Sequence, residues 1–354
     1  MIYATITLAV VMFFSSGYGK IKQGNIIPII GSLLALCVFA GLRDISFGLD
    51  LLGYQDRYLS YVPFVGYTDI IDDYVQGMMK DCLFYIIMKL FSDVGLSFQF
   101  FMAAVTSFYV ITVSILIWGY SKKPIISFMM FIAFSWFQFS FTGLRQTIAM
   151  GICVVALIFL LKDKRSLSAI LCVFLAGFIH SSAWIFFIVP IIARLGLKIR
   201  KKSFILLTVL SLLMAIIGNS LFREIVAVIA WNDTLANYAD SSIFLNWTGF
   251  IIQLAIAAFS FTFYDEVIQN HPNMSLLYSL MAIGLGFQAF STVIAEMFRI
   301  SMYFSIVSVC VYPTVIMNIK RNDFKNLAFY ISICLLIIYF FVSDKFEMYI
   351  PITV

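Results

Sequence analysis

Apolar runs of roughly 17 to 25 residues, the length a helix needs to cross a bilayer, recur along nearly the whole of this 354-residue chain. That repetition leaves few folds open. In lipid every backbone N–H and C=O must find a partner inside the protein, so only helices and closed barrels span. A barrel would show ten-residue strands of alternating hydrophobicity, which the sequence lacks, and this predicts an all-α, polytopic transmembrane helix bundle. The candidate membrane segments are residues 2–18, 25–42, 98–119, 124–142, 145–161, 166–180, 181–193, 204–222, 248–264, 275–293, 299–318 and 327–342. They amount to about twelve, or about ten spans plus a re-entrant hairpin at 166–193. The chain reads as one integral membrane domain, 1–354, without internal repeats, and its short inner loops leave no room for a nucleotide-binding module.

Orientation follows from Lys and Arg, which gather on the cytoplasmic side. The first apolar run has no basic stretch before it and no small-residue cleavage site, so it reads as a retained helix with its N-terminus outside. Threading the rest from there places 15 of 23 basic residues inside, including Lys20, Lys22, Lys162, Lys164, Arg165 and the run from Arg194 to Lys202, and 14 of 18 acids outside. One assignment therefore sorts every basic cluster to one face. The cysteines lie in or at the edge of apolar runs and read as small hydrophobes.

Residues 43–97 form the longest external stretch, with 82–92 too short to span and read as an interfacial helix. A second external loop covers 223–247, with Trp231 and Trp247 placed like interfacial anchors. The basic residues at 162–165 and the basic run ending at Lys202 must share the inner face, so 166–193 goes out and returns with about 14 residues per leg. Such legs are short for two spans and suggest short helices or a re-entrant hairpin. His180 then falls at the outer tip, level with Arg145 at the start of the preceding helix.

Ionisable side chains at membrane depth are costly and mark functional sites by default. Arg43, Arg145, Arg299 and His180 all map to the outer face beside apolar helix ends. A guanidinium is a planar fork that captures phosphate or carboxylate in bidentate fashion, so several at one level point to an anionic ligand. Arginines at helix ends also snorkel to lipid headgroups or pair with acids such as Asp44 and Glu296, and both readings stand. Asp50, in a Gly-containing turn after Arg43, and Glu296 are candidate bases, because a low-dielectric wall raises a carboxyl toward the working range. Asp56, Asp69, Asp72 and Asp73 read as solvated loop acids. Glu296, Arg299 and Tyr303 follow at i, i+3 and i+7, on one helical face. With only His180 and His271 present, no metal centre is expected. The phosphate-loop, dinucleotide, zinc-protease and hydrolase-elbow motifs are missing, so no cofactor and no nucleic-acid partner are expected.

Four short motifs carry a resemblance. GLRDISFGLDLLGY at 41–54, FTGLRQTIAMGI at 141–152, FIHSSAWIF at 179–187 and FRISMYFSI at 298–306 resemble, in order, the successive motifs of the EpsG-type, Wzy-like bacterial polysaccharide polymerases. Carried over by motif, the resemblance implies Arg43, Asp50, Tyr54, Arg145, Gln146, His180, Arg299 and Tyr303 as site residues. It implies a fold similar to GT-C glycosyltransferases and a polymerase of undecaprenyl-diphosphate-linked oligosaccharide repeat units in the bacterial inner membrane. The partners implied are that lipid-linked glycan, membrane lipid and a chain-length regulator.

In that setting the growing glycan would pass from its lipid diphosphate to a hydroxyl of an incoming unit at the outer face. Arginines and His180 would neutralise the departing diphosphate, doing the electrostatic work a metal does elsewhere, and Asp50 or Glu296 would take the hydroxyl proton. A ligase joining glycan to another acceptor has almost the same physical requirements. A flippase of lipid-linked units would also need outer arginines, but should show internal repeats and charge along a path.

Overall fold

The structure, a computed structural model, describes residues 2–17, 26–48, 50–163, 166–229, 247–294 and 296–343, with the backbone alone for 163 and 219–229. Lys20, Lys22, Lys164, Arg165, Trp231 and most of the expected 223–247 loop lie outside the described residues. Every regular element among the described residues is a helix. Four helices are long and apolar enough to cross a membrane alone: Phe98–Tyr120, Leu144–Lys162, Lys201–Gly218 and Asn322–Val342. Two further pairs, bent by 64° and 46°, bring the number to six if each pair is one span. Shorter apolar helices of 10–17 residues occupy the other expected segments. At 1.5 Å per residue a 14-residue helix covers only about 21 Å, less than the roughly 30 Å hydrocarbon core.

The chain divides into two compact units, Met1–Pro190 with Asn326–Val354, and Ile191–Lys325. In the first unit, α1 (Ile2–Ser16) and α2 (Ile27–Gly41) pack closely because Gly31 offers no Cβ where the Phe14 ring lies. The stretch 43–97 carries α3 (Leu51–Ser60), α4 (Tyr67–Val75) and α5 (Cys82–Asp93). The last is the short helix expected near 82–92, and it buries Phe84, Tyr85 and Met88. Helix α6 (Phe98–Tyr120) is tied to the end of α2 by Gln99, whose Nε2 donates to the carbonyls of Gly41 and Arg43 at 2.7 and 2.9 Å. Helices α7 (Pro124–Ala133) and α8 (Trp136–Phe139) contribute to a phenylalanine core in which Phe137 sits 4.9 Å from Phe141 and 6.1 Å from Phe39. Helix α9 (Leu144–Asp163) packs between α6 and α10 (Ser166–Ile179).

The chain breaks after α10, where short legs were expected. His180 N–H makes the last helical bond, to Ala176 O at 2.9 Å, and His180 itself is extended (φ −154°, ψ 117°). A 3₁₀ turn, Ser181–Phe187, follows and folds back so that the Trp184 ring lies against Gly177, where a Cβ would sit 2.4 Å from it. Helix α11 (Ile188–Leu195) continues from there.

The second unit begins its long helices with α12 (Lys201–Ile229), which stays helical past Arg223, where the outer loop was expected to start. Helix α13 (Trp247–Thr262) bends into α14 (Tyr264–Asn270), and α15 (Met274–Phe290) packs on α12, α13 and α16 (Met297–Ser305), which bends into α17 (Ser308–Asn318). At Gly284 α15 and α16 approach closely. A Cβ there would meet the Ser305 backbone N at 2.8 Å, and Ser301 Oγ donates to Gly284 O at 2.9 Å. Gly284→Ala should therefore destabilise the protein despite the roughly 0.5–1 kcal/mol alanine gains in a helix, because overpacking against backbone costs about 1–3 kcal/mol. A lower unfolding temperature of the purified protein checks this, and a raised one would contradict the contact. Helix α18 (Asn322–Val342) ends in the first unit, where Tyr339 lies 5.5 Å from Phe134 and Lys123 sits over Phe329 at 5.0 Å.

Candidate active site

Asp81 is the hub of the first unit's polar site. It stands at the N-cap of α5 in the left-handed region (φ 63°, ψ 48°), a conformation that Asp tolerates better than most non-glycine residues. An N-cap aspartate ordinarily accepts from the backbone of its own first turn. Asp81 does not, and its carboxylate is spent elsewhere. Oδ2 accepts from Arg145 Nη1 at 2.9 Å and pairs with His180 Nδ1 at 3.3 Å, while Oδ1 accepts from the Ser181 backbone N–H at 3.0 Å. A positive-φ residue whose side chain abandons local capping for three distant partners fits a functional constraint better than a folding one.

The break after α10 explains the second half of the geometry. Ending the helix at Ile179 releases the Ser181 N–H from the helical ladder and turns His180 toward the same carboxylate. A carboxylate only accepts, so Nδ1 of the neutral imidazole carries the proton toward Asp81 and Nε2 remains the basic nitrogen. Arg145, one residue into α9, is held on two sides: Nε donates to Tyr54 Oη at 3.2 Å, and its guanidinium carbon lies 5.7 Å from the Tyr54 ring. Tyr54 is buried on α3 and packs edge-on against Phe84 at 5.4 Å.

Beside this cluster opens a cleft of about 550 Å³, lined by Arg57, Tyr61, Asp73, Lys80, Tyr85 and Arg145. Arg57 donates to Tyr85 Oη and lies 5.9 Å from its ring. Tyr61 donates to Asp73 at 2.9 Å, and its phenol is pushed up to about 12, by burial first and then by the Asp73 carboxylate. Among the described residues no group of three His, Cys, Asp or Glu stands close enough to hold a metal ion.

The other expected residues have different settings. Arg43 is fully buried, its guanidinium over the Phe141 ring at 4.9 Å and its Nη1 donating to Ala40 O at 2.5 Å. Gln146 is buried next to Arg145 in sequence, and Asp50 is exposed at the start of α3. Glu296 and Arg299 are exposed and Tyr303 is buried at 3% exposure, all three in the second unit. Two helical turns of spacing thus carry one inward and two outward side chains.

The model of the EpsG family matches residues 26–350, nearly the whole chain. The chain belongs to the EpsG family. No curated protein and no solved structure matches it. Membership agrees with the resemblance carried by the four motifs and makes this EpsG-family protein a membrane protein of polysaccharide biosynthesis, glycosyltransferase-like in general character.

Asp81, the residue that ties Arg145 to His180, is missing from the set the EpsG resemblance supplied. A half-buried arginine calls for a counter-ion, and Asp81, directly at the start of an apolar helix, is one of several acids in its stretch that could supply it. Burial alone would push the Asp81 carboxyl up, but the hydrogen bond and charge of His180, the Ser181 N–H and Arg145 outweigh it and hold the group below its ordinary value. A depressed folded-state pKa gives stability that is fully present above the unfolded value of roughly 4 and lost as pH falls through the lower folded value. Thermal unfolding of the wild type should hardly change between pH 7 and 5 on account of this group and should fall below about pH 4. Asp81→Asn removes that acid component, and an unchanged acid slope in the variant would contradict it.

Proposed function

We propose that this protein polymerises lipid-linked oligosaccharide repeat units, transferring a growing glycan from its undecaprenyl diphosphate to a hydroxyl of the next unit on the outer face of the bacterial inner membrane. The observation that carries the reading is the pairing of Arg145 with an Asp81–His180 couple at the edge of a cation-rich cleft. In the step proposed, the bond between the anomeric carbon and the phosphate oxygen breaks, and the bond to the acceptor oxygen forms. The acceptor hydroxyl proton goes to His180 Nε2, and the lipid diphosphate leaves as an anion beside Arg145. Asp81 orients the imidazole and stabilises it once protonated, the role a carboxylate plays behind a histidine base. Its own depressed pKa makes it a poor base. Asp50, exposed at the start of α3, remains an alternative base on its motif, and Glu296, in the second unit, on its sequence position alone. Arg145, with the imidazolium of His180, supplies the charge neutralisation, so the step needs no divalent ion.

The reading extends to a membrane arrangement of about twelve segments with a GT-C-like fold, supported by the family and by apolar helices at each expected segment. It also extends to O-antigen, capsule or exopolysaccharide as product and to a chain-length regulator as partner. Glycan laddering on gels from cells lacking the native gene tests it. Wild type should restore a ladder of many repeats. Arg145→Lys, at matched membrane expression, should lower polymerisation about ten- to a hundredfold, because an ammonium lacks the fork that serves Tyr54 and Asp81 together and one charged hydrogen bond is worth roughly 1.5–3 kcal/mol. Absence of single repeat units at the outer face without the protein would instead identify a flippase, and transfer of glycan to a different acceptor without lengthening would identify a ligase.

A further inference from the structure

Beyond Arg145, the cleft holds two further cations, Arg57 and Lys80. Arg145 is countered by Asp81, whereas Arg57 and Lys80 have no carboxylate partner among the described residues. The acid in the same wall, Asp73, accepts from the Tyr61 hydroxyl. Arg57 is also preorganised: the Tyr85 hydroxyl and ring hold its guanidinium, and Tyr85 is buried and fixed against Phe84 at 5.7 Å. Arg57 stands three residues after Tyr54 on α3. The Tyr54–Arg145 and Arg57–Tyr85 pairs therefore start from neighbouring turns of α3. The Tyr61 and Tyr85 rings, 6.4 Å apart and at 81°, give the wall two aromatic surfaces of the kind that sugar rings pack on.

From this arrangement we propose that the cleft is a subsite for an acidic sugar: the repeat unit carries a carboxylate, and Arg57 with Lys80 receives it. The proposal rests on the polymerase reading and gives it a substrate class. A fixed guanidinium next to a mobile ammonium suits a carboxylate on a ring whose position is set but whose orientation varies. Neutral glycans would leave two cations facing the cleft with no counter-charge, so the subsite selects as well as binds.

The test is a binding measurement that needs no turnover, so its failure is separable from failure of the laddering experiment. The full-length protein in phosphatidylcholine nanodiscs is titrated with a glucuronate-containing disaccharide and with its methyl ester, followed by ligand-detected NMR. The acid should bind about tenfold tighter than the ester, as expected when one hydrogen-bonded charge is removed. Arg57→Gln and Lys80→Gln should each lose most of that preference while keeping the ester's affinity. Both side chains are exposed, and an unchanged unfolding temperature accompanies the expected result. Equal binding of acid and ester overturns the proposal, as does a preference that survives in both variants. Replacing part of the phosphatidylcholine with phosphatidylglycerol should leave the preference in place. Its disappearance would assign the two cations to lipid headgroups and overturn the glycan subsite.

Discussion

Asp81→Asn should lower polymerisation by about 10²–10⁴-fold, more than any other substitution of similar shape in this protein. Asparagine keeps the size and still offers one oxygen to the Ser181 N–H. Its amide nitrogen, however, replaces an acceptor that serves Arg145 and His180 at 2.9 and 3.3 Å with a donor. Two consequences follow at once. The imidazole loses the partner that fixes its tautomer, and Arg145, 29% exposed on its side chain, is left without its counter-ion. Removing one partner of a buried pair costs roughly 3 kcal/mol at the lower end of measured values, so a fall in unfolding temperature should accompany the loss of ladder. A cycle with Arg145→Ala separates pair from parts: the double variant should be little worse than the poorer single one, since residues acting as a unit are non-additive. Strict additivity, or a near-normal ladder from Asp81→Asn, would dissolve the couple.

His180→Ala should likewise remove about 10²–10⁴-fold in rate, but with a different signature. His180 is 21% exposed on its side chain and makes its polar contact at the edge of the first unit's core, so the fold should tolerate its loss. The effect should fall on kcat, with the affinity for lipid-linked substrate nearly unchanged, because a general base acts in the transition state more than in the ground state. Free imidazole added to the purified variant should restore part of the rate by occupying the space left against Asp81. A loss confined to KM, without rescue, would make His180 a binding residue and return the base to Asp50 or Glu296.

The two experiments rely on residues that differ in how they could be found. His180 and Arg145 stand out as ionisable groups in apolar surroundings, and the length constraint on 166–193 brings them to one level without any coordinates. The structure keeps that break, at His180, and gives its purpose: it frees the Ser181 N–H for Asp81. Asp81 has no such mark, lying in the same polar stretch as Asp69, Asp72 and Asp73, all equally acidic in the sequence. What sets it apart is a left-handed backbone and partners 64 and 99 residues away. Tyr54 is similar: its motif position comes from the family, but its contact with Arg145 across 91 residues comes from the docking of α3. Arg43 shows the opposite case, a motif arginine whose guanidinium is buried over Phe141.

Hydropathy, helix length and the sorting of basic residues are properties of contiguous segments, and a bilayer reads them locally. For that reason the sequence by itself determined the helical membrane class, the place of each apolar segment and the short legs around His180. Which acid answers which cation depends on how segments far apart in the chain pack against one another. No local pattern encodes that choice, so the Asp81 hub and the unpaired charge of the Arg57–Lys80 wall were decided only by the tertiary structure.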